Sequence, residues 1–197
     1  MPKFVATTPD GRLVLVANWC SYDLSVLDAE SGRPLRRIPL GPYPRGIAVG
    51  PESSFAYVAV MGSADVAKVD LRSFRVTWLR GIGLTPRHLV LDPTRRFLYA
   101  TLNAEGRVVK VDLRTGRVVV GVSTGRAPRS MTIAPDGRSL YVVNYESDTV
   151  SKVRARDMRV VQTVATNHHP IGITYDAATR QVWVACYSGS IMVFRDV

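Results

Sequence analysis

Residues 128–150 read PRSMTIAPDGRSLYVVNYESDTV, and this stretch is a β-hairpin spelled out in alternation and turn chemistry. After Pro128, Met131 and Ile133 alternate with polar neighbours, the period-2 pattern of a half-buried strand. Pro135-Asp136-Gly137 follows, where proline fixes φ and Asp-Gly tolerates a tight reversal. Leu140 to Asn144 is then rich in the aromatic and β-branched residues that suit a pleated sheet.

The same unit recurs along the chain. Pro2, Pro44, Pro86, Pro128 and Pro170 are each 42 residues from the next. Alternating pairs follow each proline: Val5 and Thr7, Ile47 and Val49, Leu89 and Leu91, Ile173 and Tyr175. Turns recur at Pro9-Asp10-Gly11, Pro51-Glu52-Ser53 and Pro93-Thr94-Arg95, and one column of the second strand holds Leu15, Tyr57, Tyr99, Tyr141 and Trp183. Third strands at 24–27, 66–69, 108–111 and 150–153 precede Asp28, Asp70 and Asp112 in three copies, and a fourth strand begins near Arg33, Arg75, Arg117 and Arg159. Four strands in a unit of this length make a propeller blade. The expectation is an all-β chain, a single β-propeller domain over 1–197 with blades 2–43, 44–85, 86–127, 128–169 and an incomplete 170–197 that lacks its outer strand.

Tyr141-Val142-Val143-Asn144, with the looser Leu15-Val16-Ala17-Asn18 and Tyr57-Val58-Ala59-Val60, resembles the strand-end motif of the YVTN-repeat β-propellers. Pro-Arg-Gly at 44–46 and Ser-Asp-Thr-Val at 147–150 extend the resemblance over the whole chain. It implies the blade scaffold. Members are often secreted or surface-attached, and some are reported to bind DNA, but a shared scaffold does not assign chemistry.

With 46% hydrophobic residues the chain can bury a substantial core. No apolar run reaches membrane-spanning length, and Met1-Pro2-Lys3-Phe4 leads directly into the first strand, so the chain as written reads as soluble and not exported. Nothing in the sequence supplies a strand to complete the fifth blade, so Ile191-Met192-Val193-Phe194 becomes an apolar outer edge, open to pairing with a second copy. Phe194 falls in the column of Lys68, Lys110 and Lys152, which marks a one-residue deletion in the preceding turn. A closed five-bladed ring is the first expectation, with an arc of a larger propeller or an arc closed by a second copy as alternatives.

Repetition turns a column of like residues into a ring around the axis. Lys3, Arg45, Arg87 and Arg129 follow the leading prolines, so four cations should surround one mouth of the central channel, with His88 and the pair His168-His169 near the same face. The competing reading is structural: these cations cap neighbouring carbonyls or pair with the aspartate columns. Lys68, Lys110 and Lys152 read as a solvated flank, and the arginines of the outer turns as a solvated rim.

The formal net charge of +10 favours acidic partners such as nucleic acid, anionic lipid or acidic glycans. No recognition helix, zinc-finger spacing or RNA-binding aromatic motif is present. The sequence also lacks a Gly-rich phosphate loop, a nucleophile elbow and a His-Glu-x-x-His pattern, so neither cofactor nor metal is expected. Adjacent histidines in an extended segment point to opposite faces, which argues against a metal at His168-His169. Cys20 and Cys186 have no ligand spacing and become neighbours only if the ring closes. Trp19 and Tyr187, at strand-to-turn corners, read as packing residues. The preferred function is a non-enzymatic binding or scaffold propeller that presents Lys3, Arg45, Arg87, His88 and Arg129 to an acidic ligand, a polyanion or a protein partner. The alternatives are a DNA-binding propeller and an enzyme similar to the streptogramin-opening lyases, with His88 as general acid or base.

Overall fold

The computed structural model describes residues 1–196, which form nineteen β-strands and no helix. The first blade holds β1 (Pro2–Thr7), β2 (Leu13–Asn18), β3 (Asp23–Asp28) and β4 (Pro34–Pro39). The second holds β5 (Pro44–Val49), β6 (Phe55–Val60), β7 (Asp65–Asp70) and β8 (Val76–Leu79). In the third are β9 (Pro86–Leu91), β10 (Phe97–Leu102), β11 (Arg107–Asp112) and β12 (Arg117–Ser123), and in the fourth β13 (Pro128–Ile133), β14 (Ser139–Asn144), β15 (Thr149–Arg154) and β16 (Arg159–Ala165). The fifth has three: β17 (Pro170–Asp176), β18 (Gln181–Cys186) and β19 (Ser190–Arg195). Each blade is an antiparallel sheet with its strands in chain order, so the chain is a β-propeller of about five blades whose last blade is one strand short.

The turn chemistry is local. Asp28, Asp70 and Asp112 accept backbone N–H bonds from Ser31 (2.8 Å), Ser73 (2.7 Å) and Arg114 (2.8 Å), closing the turns between third and fourth strands. Asp10 and Asp136 do the same for the first turns, accepting from the amides of Arg12 (3.1 Å) and Arg138 (2.9 Å).

Four apolar clusters each fill the gap between consecutive blades, typified by Leu15 with Val58, Tyr57 with Leu98, Tyr99 with Val142, and Tyr141 with Val184. The innermost strands pack in series, β1 on β5, β5 on β9, β9 on β13 and β13 on β17. Among the described residues no cluster joins the fifth blade to the first. The five blades therefore form an arc, where ring closure was the first expectation. Trp183, Val193 and Ile191 remain 40%, 44% and 67% exposed on the far face of the last blade.

The deletion in the last turn is visible in the register. Tyr57, Tyr99 and Tyr141 stand opposite Lys68, Lys110 and Lys152, whereas Trp183 stands opposite Val193 and Phe194 moves to Val182. The lysine column is not a solvated flank. Lys68 lies over the Phe55 ring at 4.2 Å and Lys110 over Phe97 at 4.1 Å, while Lys152 pairs with Asp196 at 2.6 Å. Long aliphatic stems lie on apolar rings while the ammonium finds a partner at the tip, and this buries Lys110 and leaves Lys68 and Lys152 partly exposed. Arg33, Arg75, Arg117 and Arg159 are exposed, and Cys20 and Cys186 are free thiols, the first exposed and the second buried. No helix is long and apolar enough to cross a membrane.

Candidate functional site

A recurring corner places the cations. The residue before each of the last four inner strands adopts a left-handed conformation: Tyr43 (φ 61°), Thr85 (φ 52°), Ala127 (φ 49°) and His169 (φ 55°). Their carbonyls accept N–H bonds from Met61 (3.0 Å), Asn103 (3.1 Å), Tyr145 (3.2 Å) and Tyr187 (3.0 Å), residues that follow the second strands. The register of each inner strand then skips just after its proline, a bulge-like irregularity that re-aims the next side chain.

Arg45, Arg87 and Arg129 lie close enough to repel one another. Arg87, 8% exposed, is pushed down to about 9, first by burial and then by the charges of Arg45 and Arg129. Arg45 is lowered as well, by burial and by Arg129. A guanidinium stays protonated at neutral pH even so, and the depression expresses how poorly this positive charge is compensated. Among the described residues, none of the three guanidiniums has a carboxylate within ion-pair distance.

Aromatic rings take the place of counter-ions. The Arg129 guanidinium sits 3.3 Å from the centre of the Tyr145 ring, and its buried Nε has no hydrogen-bond acceptor. Trp19 receives Arg45 at 5.7 Å and the exposed Lys3 at 5.9 Å, and stacks in turn on Tyr43 at 4.7 Å. Tyr187, 66% exposed, lies near Arg45 and Arg87.

The carbonyl-capping role proposed for these cations is performed by neutral groups. Thr101 Oγ1 accepts the His88 N–H at 3.0 Å and donates to the Arg129 carbonyl at 3.0 Å. Asn103 donates to the Pro128 carbonyl at 3.2 Å, and Ser130 donates to the Ile171 carbonyl at 2.6 Å. Hydroxyls and amides thus tie the inner strands together, leaving the arginines uncommitted.

His88 is partly exposed, as are Arg45 and Arg129. Its imidazole meets the Phe4 ring edge-on at 5.5 Å, reaching across the intervening blade. That reach depends on Gly46, where a Cβ would come within 2.6 Å of the Arg87 carbonyl oxygen and 2.8 Å of the His88 Cα. Burial, followed by the charges of Arg87 and Arg45, lowers His88 to about 4, so the ring is neutral at pH 7. His168 and His169 depart from the expected opposite-face arrangement: their rings stack at 3.5 Å, because His169 is left-handed rather than extended.

Sequence reasoning missed a column. Trp19, Met61, Asn103, Tyr145 and Tyr187 all follow their second strand by one residue, and three of them are aromatic. Aligning that position would have found the rings that carry the arginines. Two sizeable cavities lie away from this group, one of about 740 Å³ beside Asp92, Lys110 and Arg154 and one of about 620 Å³ beside Glu105, Arg126 and Glu146.

No family model matches the chain, and no curated protein matches it. Solved structures do. Hydrazine synthase from Kuenenia stuttgartiensis superposes with a TM-score of 0.86 at 20% identity, over 93% of this chain and 55% of that one. A Bacteroides fragilis protein provisionally named a 6-phosphogluconolactonase superposes with a TM-score of 0.84 at 18% identity, over 100% of this chain and 66% of that one. At such identities the likeness establishes the propeller fold and nothing about activity. This chain spans between half and two thirds of those two chains, in keeping with an arc of blades.

Proposed function

We propose that the chain is a binding propeller whose axial face takes an anionic ligand, with Arg45, Arg87 and Arg129 supplying the charge and Lys3 adding to it at the rim. One observation carries this reading: among the described residues, three neighbouring guanidiniums, one of them only 8% exposed, have no carboxylate partner. Collecting like charges in a partly desolvated place is costly, and an incoming carboxylate or phosphate relieves that cost. The side chains are planar donors suited to two-point contacts with such groups. Blade units of nearly constant length leave no long inserted loop to act as a lid, which favours binding over turnover.

Calorimetric titration with inorganic pyrophosphate and with a short single-stranded oligonucleotide tests the proposal. Replacing Arg45, Arg87 and Arg129 together by Gln should weaken binding at least about tenfold while leaving thermal stability unchanged or raised. Undiminished binding sinks the proposal, and loss of the fold assigns the arginines a structural role. A preference for the oligonucleotide would select the nucleic-acid alternative. A second reading, hydrolysis of an anionic lactone, draws on the name of the Bacteroides neighbour and on the same basic face. It requires turnover of such a lactone. The lyase alternative requires turnover of a cyclic depsipeptide that disappears in His88→Ala.

A further inference from the structure

The corner where the fourth blade meets the fifth carries a donor set found at no other corner. At the first, third and fourth junctions two left-handed positions face each other, one in the turn after the second strand and one before the next inner strand. At the first junction they are Tyr22 (φ 59°) and Tyr43 (φ 61°), whose rings meet edge to face at 5.5 Å. At the third, the corresponding residues are Gly106 and Ala127. At the fourth they are Asp148 (φ 51°) and His169 (φ 55°), and His168 precedes the latter. The scaffold fixes the juxtaposition, and only here does it bring together residues that ligate metals.

The geometry is close to a coordination site. Asp148 Oδ2 lies 3.1 Å from His168 Nδ1, and Asp148 Oδ1 accepts the His169 backbone N–H at 2.7 Å, which orients the carboxylate. Ligand atoms of Asp148, His168 and His169 all fall within 4.8 Å of one another. Tetrahedral bonds of about 2.0–2.2 Å to imidazole nitrogen and carboxylate oxygen place neighbouring donors roughly 3.3 Å apart. The Asp148–His168 pair already stands at that spacing, and a His169 ring nitrogen lies within 4.8 Å of both. His169 stacks on Tyr145 at 4.1 Å with ring planes 13° apart, which limits where its nitrogens point. The carboxyl of Asp148 is held below its ordinary range by the His169 amide and then by the His168 side chain, so it is ionised at neutral pH.

We infer that Asp148, His168 and His169 form a binding site for a divalent first-row transition metal ion. Two imidazoles and one carboxylate suit Zn²⁺, Co²⁺, Ni²⁺ or Cu²⁺ over the all-oxygen preference of Mg²⁺ and Ca²⁺. His168 is 65% exposed on its side chain, so at least one further position remains open to water or a ligand. Tyr145 lies between His169 and Arg129, so the ion adds positive charge at the edge of the arginine group.

Titration of the whole chain with Co²⁺ at neutral pH, followed by visible absorption and by displacement with Zn²⁺, tests the assignment. One equivalent per chain is expected, with Asp148→Asn and His168→Ala each weakening it at least about tenfold. Both residues lie at the surface, and unfolding temperatures measured without metal should match the parent. Arg87→Gln should keep its Co²⁺ affinity, which separates this site from the anion-binding proposal. Absence of stoichiometric absorption overturns the inference. So does absorption that survives both variants, which would place the ion elsewhere, as at Cys20 or the terminal amine.

Discussion

Lys110 stands directly across the strand pair from Tyr99, its ammonium 5.8 Å from that ring's centre and 4.1 Å from the ring of Phe97. Its Nζ donates to the Ala155 carbonyl at 2.9 Å, spanning the third and fourth blades. The side chain therefore fills space as an apolar stem and satisfies a buried acceptor at its tip. Lys110→Ala should cost about 1–3 kcal/mol in urea unfolding, through lost packing and an orphaned carbonyl. Lys110→Met keeps the stem and should recover a good part of the loss. A neutral alanine variant would mean that the lysine column is a solvated flank after all.

Gly46 and Gly172 occupy one repeat position with opposite surroundings. A Cβ at Gly46 meets rigid backbone, Arg87 O at 2.6 Å and His88 Cα at 2.8 Å, whereas at Gly172 its nearest contact is the Ala185 Cβ at an ordinary 3.6 Å. Gly46→Ala should destabilise by about 3 kcal/mol, the upper part of the overpacking range, and Gly172→Ala by under about 1 kcal/mol. Equal effects of the two substitutions in thermal unfolding would refute the idea that the second and third inner strands need a bare backbone to approach.

The fold was legible because five copies of one length expose turns, strand periods and columns together. Even the missing residue after Tyr187 could be read from Phe194 arriving in a lysine column. A column, however, states where a side chain sits around the axis and not what covers it. Lys110 needed its cross-strand partner Tyr99 to be recognised as buried, and that register is a property of pairing. His168 and His169 were misjudged on strand geometry, which fails where φ is +55° at His169. Closure was illegible for a different reason: the angle between blades is set jointly by all the side chains in each interface, and no single residue encodes it. The arginine column is directly legible, but the rings of Trp19 and Tyr145 that meet Arg45 and Arg129 share a column with Met61 and Asn103, so no repeated residue type marks it.

Trp183, Ile191 and Val193 share the uncovered face of the last blade, with Trp183 opposite Val193 in the ladder and Ile191 two residues before it. An apolar sheet face beside an open edge strand invites association. Light scattering should show a mass that grows with concentration, and Ile191→Lys combined with Val193→Lys should reduce it without lowering the unfolding temperature. A concentration-independent monomer would leave this face without a partner of its own kind.

His88 gives the acid side of the stability profile a definite sign. In the unfolded chain a histidine takes up its proton near pH 6.5, whereas burial and the neighbouring Arg87 and Arg45 hold the folded group down to about 4. Between those values the unfolded state binds more protons, so stability falls as pH drops through the window and is unaffected above it. The full difference is roughly 3 kcal/mol. Urea unfolding of the parent and of His88→Gln, at neutral pH and near about pH 4.5, isolates the contribution. The parent should lose about 2–3 kcal/mol more than the variant on acidification, whatever the substitution costs at pH 7. Parallel profiles would mean that the imidazole is hydrated and titrates normally, and that the cationic layer does not bear on it.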